Sequence, residues 1–422
     1  MKKPVESAPP LDLKKSLAMF EDAQRLTPGG VGGIRRPYNF VVGEYPIFIT
    51  KGYGGHIVDV DGNDYIDMLC AYGPIILGYV EPEINDAVKK RMDGGFCFSL
   101  VQPIQNELEE RLADVLPCGG QAIIVKTGSD ATNAAVRAAR AYTGREVIAR
   151  CGYHGWGDWC VENPGGIPQA VQDLTREFHY GSVEDLERVF AENDGRVACV
   201  IITPVGHPLA APVMAPPPGY LEAVKELTHK HGAVLIFDEI RTGFRVAMGG
   251  AQERYGVTPD LTTVGKAMAN GYPIAAVVGS REVLSVYEKA AFLSSTFFPN
   301  SLEMVAAMTC MDILEREKVQ DVIWERGTAF LEKLGRIVDD SGVPVSVSGI
   351  PPMPFLWFDK VDEHYKARRT DFYTQCIRRG LFVQPYHHWY ICYRHTDEDL
   401  ARSLGVVEES LAYVGQKHPR GV

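Results

Sequence analysis

Four groups of residues that could do carbonyl and amine chemistry follow apolar runs in the middle of this 422-residue chain. Lys266 comes after Leu261-Thr262-Thr263-Val264-Gly265 and before AMANGYP. A lysine at a buried strand end has its ammonium form disfavoured by desolvation, which suits an amine that forms a Schiff base. The same placement also describes a surface lysine at a strand terminus. Asp238 ends the run Ala233 to Phe237, where a carboxylate costs free energy unless it is paired. Opposite a pyridine nitrogen it would keep the ring protonated as an electron sink. Otherwise Arg241 or Arg245 pairs it. The turn Thr127-Gly128-Ser129 leads into a helix starting near Asp130, so its free amides and the Ser129 hydroxyl could bind an anion; alternatively Ser129 or Asp130 caps that helix. Tyr153 and His154 follow Glu146-Val147-Ile148-Ala149-Arg150, and Tyr153 either stacks on an aromatic ligand or packs in the fold.

The elements that must position these groups are legible as well. After Gly73 the texture is one of helices alternating with short, continuously apolar strands: AIIVKTG, EVIAR, ACVIITP, AVLIFDE, LTTVGK and IAAVVG. Such strands predict a mostly parallel sheet covered on both faces. Ligands bind beyond the carboxyl ends of such strands, so all four groups converge on one site. The predicted organisation is a large α/β domain at about 69–305 and a smaller α+β domain. Residues 1–68 and 306–422 contribute to the smaller one. HIVDV-DGN-DYIDML predicts a hairpin near the start, and long helices run over Leu302–Glu317 and Val322–Asp339.

Composition excludes several classes. A formal net charge of -11 without a Lys/Arg cluster argues against nucleic-acid binding. No apolar run reaches the length of a membrane span, and the N-terminus lacks a signal-peptide core. Nine cysteines without a C-x-x-C read as reduced thiols, which points to the cytoplasm.

The stretches KTGSDATNAAVRAARAYTGR, GYHGW, IFDEIRTGFR and TTVGKAMANGYPIAAVVG resemble the successive signatures of class III aminotransferases, of the fold-type-I pyridoxal-phosphate superfamily. TPGGVGGIRRPY and HTDEDL are similar to the bookends of the glutamate-1-semialdehyde aminomutase branch. The resemblance covers nearly the whole chain. It implies pyridoxal 5'-phosphate as cofactor, with Lys266 as the Schiff-base lysine and Asp238 as the pyridinium partner. It also implies Tyr153 and Ile240 on the two ring faces, and Gly128 and Ser129 at the phosphate. Thr296 would reach the phosphate of a neighbouring subunit, making a homodimer with shared sites.

On the substrate side the resemblance puts Arg36, beside Arg35, where an arginine binds a substrate carboxylate. Trp156 and Trp159, with Tyr386, His387, His388, Trp389 and Tyr390, either line a pocket for a ring-bearing substrate or pack in the small domain. The chain departs from the pattern at Thr203-Pro204 (usually Glu-Pro), and His207 is the candidate near the cofactor's phenolic oxygen. His387 replaces the aminomutase's glutamate, and Arg394 replaces a small residue and is a further substrate candidate. The expected activity is transfer of an amino group from an amine donor to a small carbonyl acceptor. The alternative is an aminomutase or racemase working within one molecule.

Overall fold

The computed structural model describes residues 5–206 and 212–419. Three antiparallel strands, β1 (Ile49–Tyr53), β2 (His56–Asp59) and β3 (Asp64–Asp67), form early in the chain. The β2–β3 turn falls on Asp61-Gly62, where Gly62 takes φ +96°. Seven strands follow: β4 (Gln121–Val125), β5 (Val147–Cys151), β6 (Thr175–Glu177), β7 (Val197–Ile202), β8 (Val234–Asp238), β9 (Leu261–Val264) and β10 (Ala275–Gly279). They make one sheet in the order β4-β10-β9-β8-β7-β5-β6. Strand β10 is antiparallel to both neighbours and the others run one way, so the sheet is mostly parallel.

Continuous apolarity in these strands has a direct cause: each face of the sheet is buried against helices. Ile148, Cys199, Ile201, Val234 and Ile236 point to one face and pack with Ala131, Ala135, Ala138 and Ala139 of the helix Gly128–Thr143. Val147, Ala149, Val200, Ile202, Leu235 and Phe237 point to the other, against the helices Val183–Glu192 and Tyr220–Lys230. Alanine on the first helix lets it lie close to the strands, so its N-terminus is held at the carboxyl edge of the sheet.

The hairpin β11 (Val345–Ile350) and β12 (Met353–Phe358) follows the long helices Ser301–Arg316 and Val319–Ser341. Strand β13 (Leu381–Phe382) then pairs in parallel with β3, giving a sheet ordered β1-β2-β3-β13. Tyr45 Oη donates to Val383 O at 2.7 Å and Arg378 Nε to Glu44 Oε2 at 2.7 Å, so early and late segments lock together. No disulfide joins the nine cysteines. Among the described residues no helix is long and apolar enough to cross a membrane.

Candidate active site

Four parallel strands, β4, β5, β8 and β9, end on the same edge of the sheet, and the loops after them assemble one site. Asp238 is the last residue of β8, 4% exposed. Its Oδ2 lies 2.7 Å from His154 Nδ1, and its Oδ1 accepts from Thr263 Oγ1 at 3.1 Å and the Ile240 amide at 3.2 Å. The arginines offered by the sequence as its partners are placed otherwise. Arg245 donates to the carbonyls of Ile391 (2.9 Å) and Gly73 (2.8 Å) and lies over the Tyr390 ring. Among the described residues Arg241 makes no ion pair, and its Nη2 has no hydrogen-bond partner.

Lys266 stands one strand over, after β9, in the left-handed region at φ +45°. Burial and the charges of Arg241 and Arg245 outweigh the pull of Asp238 and bring its amine down from 10.5 to about 7. Desolvation makes the largest contribution, because a lysine withdrawn from water loses the hydration that favours its charge. Arg241 responds to the same surroundings, and burial pushes it down to about 10.

At the helix Gly128–Thr143 the cap is Thr127, in a reciprocal box with Asp130. Neither Ser129 nor Asp130 is the N-cap. That leaves the Gly128 and Ser129 amides at a helix start, where no intrahelical acceptor exists. The loop after β5 lies flat against this start. Gly155 takes φ +104°, and a Cβ there would stand 2.3 Å from Ser129 Oγ. Thr132 Oγ1 donates to His154 O at 2.8 Å, fixing the loop that carries Tyr153. Ile240 wedges between the groups: a Cβ on Gly128 would meet its Cγ2 at 3.1 Å, and one on Gly265 its Cδ1 at 3.3 Å.

Lys266, Asp238, Ile240, Gly128, Ser129 and Tyr153 are therefore neighbours. The Tyr153 hydroxyl is raised by burial and senses Arg241 and Asp238. His387 joins them, lowered to about 3 by burial with Lys266 and Arg241 nearby. The remaining candidates are disposed differently. Arg36 donates its Nε to Val31 O at 3.2 Å. Trp156 is 75% exposed, its amide 3.4 Å from Ser129 Oγ. Thr296 lies on an exposed loop before the helix Ser301–Arg316. Arg394 is ion-paired with Glu81 at 3.0 Å. Trp389 and Tyr390 are fully buried, and Trp159 is spent on Asn133 Oδ1 at 2.6 Å. His207 lies outside the described residues.

His154 and Arg241 gain most from the fold. The sequence puts His154 at a strand end but gives no sign that it reaches Asp238, and it offers Arg241 only as a partner for that carboxylate. The assembled groups fit pyridoxal phosphate: an open helix start for an anion, an apolar wedge for a ring face, a buried carboxylate for a ring nitrogen and a buried amine, its charge disfavoured, for an aldehyde.

The family model for class-III aminotransferases matches residues 39–397. The 3-aminobutyryl-CoA aminotransferase of Cloacimonas acidaminovorans (strain Evry) is 56% identical, over 96% of this chain and 98% of that protein. A glutamate-1-semialdehyde 2,1-aminomutase of Natranaerobius thermophilus is 32% identical, over 94% of this chain and 98% of its own. The FumI protein of Sphingopyxis sp. MTA144, solved in its PLP internal aldimine form, superposes with a TM-score of 0.91 at 28% identity, covering 96% of this chain and 98% of that one.

Proposed function

Because the chain belongs to the class-III aminotransferases and is a pyridoxal-phosphate-dependent transaminase, we propose that Lys266 is the amine that carries the cofactor and that the amino donor is a coenzyme-A thioester of a short β-amino acid. The substrate half of this reading rests on the likeness to the 3-aminobutyryl-CoA aminotransferase. Catalysis within a single molecule, as in an aminomutase, is not supported, since the aminomutase relative stands at 32% identity against 56% for the aminotransferase.

Pyridoxal phosphate, when bound, supplies an aldehyde that takes up the amino group and a ring that spreads the electrons released at the substrate carbon. Gly128 and Ser129 hold its phosphate through amides and a hydroxyl at the helix start. Asp238, steadied by His154 and Thr263, sets a negative charge at the ring nitrogen, while Ile240 and Tyr153 close the ring faces. Lys266 Nζ moves the proton at the substrate carbon that bears the nitrogen, first as base and then as acid. The observation that carries the reading is the placement of Lys266 just after the end of β9, one strand from Asp238 and beside the Ile240 wedge; burial, which lowers its amine to about 7, suits it to both roles at neutral pH. Arg241, which has no carboxylate partner among the described residues, orients the acyl carbonyl. Arg36, whose Nε donates to Val31 O, is kept for the carboxylate of the carbonyl acceptor. Trp156 covers the mouth, and Arg394 stays with Glu81.

A homodimer with shared sites is part of the same proposal, with Thr296 reaching the partner subunit's phosphate. Two stretches support it: the loop bearing Thr296, with Phe292 and Phe297, and the loop bearing Leu100 and Val101, all four side chains exposed. Ser301 N donates to Phe96 O at 3.0 Å and Gln102 Nε2 to Pro299 O at 3.2 Å, so the two loops are tied together at their bases, and exposed apolar side chains on both suit a partner surface. Free cysteines support a cytoplasmic setting. Residues 69–305 act as the cofactor-binding domain in this reading, and 1–68 with 306–422 as the smaller one.

The test is a half-reaction on the purified holoenzyme. Adding 3-aminobutyryl-CoA without an acceptor should shift the cofactor absorbance to the amine form, and a keto acid should restore it. A full shift with free 3-aminobutyrate and none with the thioester would reject the substrate assignment.

A further inference from the structure

Beside the site lies a cavity of about 260 Å³, between the β1–β3 sheet and the turns at residues 33–40. Ala71, Tyr72, Phe40, Ile49 and Phe382 line it, with the exposed Arg35 and Lys51 at its rim. Tyr72 connects it to the site described above. Its ring meets His387 edge-on at 5.2 Å, and His387 in turn senses the charge of Lys266. Ala71 and Tyr72 are both left-handed, at φ +53° and +69°, so the backbone that holds this junction is fixed in a conformation L residues seldom adopt.

Among the described residues neither Arg35 nor Lys51 makes an ion pair; each lies near an aromatic ring instead, Arg35 at 5.8 Å from the Tyr72 centroid and Lys51 at 5.5 Å from that of Tyr53. Both side chains are exposed, so their charge is open to an anionic group at this cavity. Asp67, which also lines the cavity, accepts from Tyr79 Oη at 2.6 Å and the Leu69 amide at 2.9 Å.

In a 3-aminoacyl thioester the sulfur is three bonds from the carbon that bears the amine. Everything beyond the sulfur must therefore leave the reaction centre by a corridor that tolerates an apolar arm and ends at positive charge. We propose that this cavity takes the pantetheine arm of a coenzyme-A thioester, with Arg35 and Lys51 meeting its phosphates. The proposal rests on the thioester reading of the substrate given above.

Two variants and two thioesters test it on the holoenzyme. Lys51→Glu reverses a rim charge, and Ile49→Trp fills the cavity from a strand residue that is 44% exposed. The substrates are 3-aminobutyryl-CoA and the same acyl group on N-acetylcysteamine, which keeps the thioester but lacks the phosphates and most of the arm. Lys51→Glu should raise KM for the CoA thioester roughly tenfold or more, as expected for losing a charged contact, and Ile49→Trp should raise it by a similar factor by occupying the space of the arm, both with kcat little changed. Turnover of the truncated thioester should stay within about twofold, which also reports an intact fold. An unchanged KM for the CoA thioester, or equal losses on both thioesters, would overturn the cavity assignment and leave the thioester reading standing. A wild-type enzyme that prefers free 3-aminobutyrate to both thioesters would overturn the two together.

Discussion

His154 Nδ1 lies 2.7 Å from Asp238 Oδ2, and both side chains are shut away from solvent. Together with the Thr263 hydroxyl this contact fixes the carboxylate in one orientation at the end of β8. His154→Leu should leave the protein folded and able to bind cofactor but lower kcat by about tenfold to a hundredfold, the usual cost of stripping a hydrogen bond from a buried charge. His154→Gln, which can still donate, should recover part of the loss. Steady-state kinetics alongside the cofactor absorbance separates this from simple loss of cofactor.

Lys266 sets a pH window. Its folded value of about 7 lies below the ordinary 10.5, so between those limits the unfolded chain holds a proton that the folded chain lacks. This group's contribution to stability therefore rises with pH through that window and is smallest below about 7. In cofactor-free protein the rate of pyridoxal-phosphate capture should climb with a midpoint near 7. Arg241→Met removes a charge that lowers the amine and should move the midpoint up. Asp238→Asn removes one that raises it and should move the midpoint down. A midpoint left near 10 in the unaltered protein would contradict the assignment.

Gly155 tests the anion cradle. An alanine there would press on Ser129 Oγ and sit at φ +104°, so Gly155→Ala should weaken pyridoxal-phosphate binding by roughly tenfold or more. Gly144→Ala is the control: also left-handed, at φ +67°, but with open space around it. That variant should cost about 1 kcal/mol of stability and leave cofactor affinity intact. Equilibrium titration followed by absorbance reads both.

Leu100 and Phe297 test the shared-site dimer. If Thr296 reaches the partner subunit's phosphate as proposed, a double Leu100→Asp, Phe297→Asp variant should shift the protein toward monomer in light scattering and weaken cofactor retention. A variant that stays dimeric with full activity would reject this surface as the interface.

Much of this was legible in the sequence, and the limits have physical causes. Strand ends could be located because a run such as Ala233 to Phe237, buried on both faces, must stop where polar residues resume. Direction could not: β10 reads as apolar either way, and it proves antiparallel to β4 and β9. The family resemblance named Lys266, Asp238 and the Gly128-Ser129 turn, and the fold makes neighbours of them. Partners across long separations were out of reach. Asp238 finds His154, 84 positions away, and not the nearby Arg241 or Arg245. Local chemistry misled at the helix start as well, where Thr127 takes the cap that Ser129 or Asp130 could have taken.

If the amine at position 266 binds the cofactor covalently, the link can be trapped there. Borohydride reduction of the purified holoprotein followed by peptide mapping tests it most directly. The expected result is a stable pyridoxyl adduct on the peptide containing Lys266, absent from Lys266→Ala, which should also lose turnover by several orders of magnitude. An adduct on another lysine, or an unmodified Lys266 in active enzyme, would contradict the account.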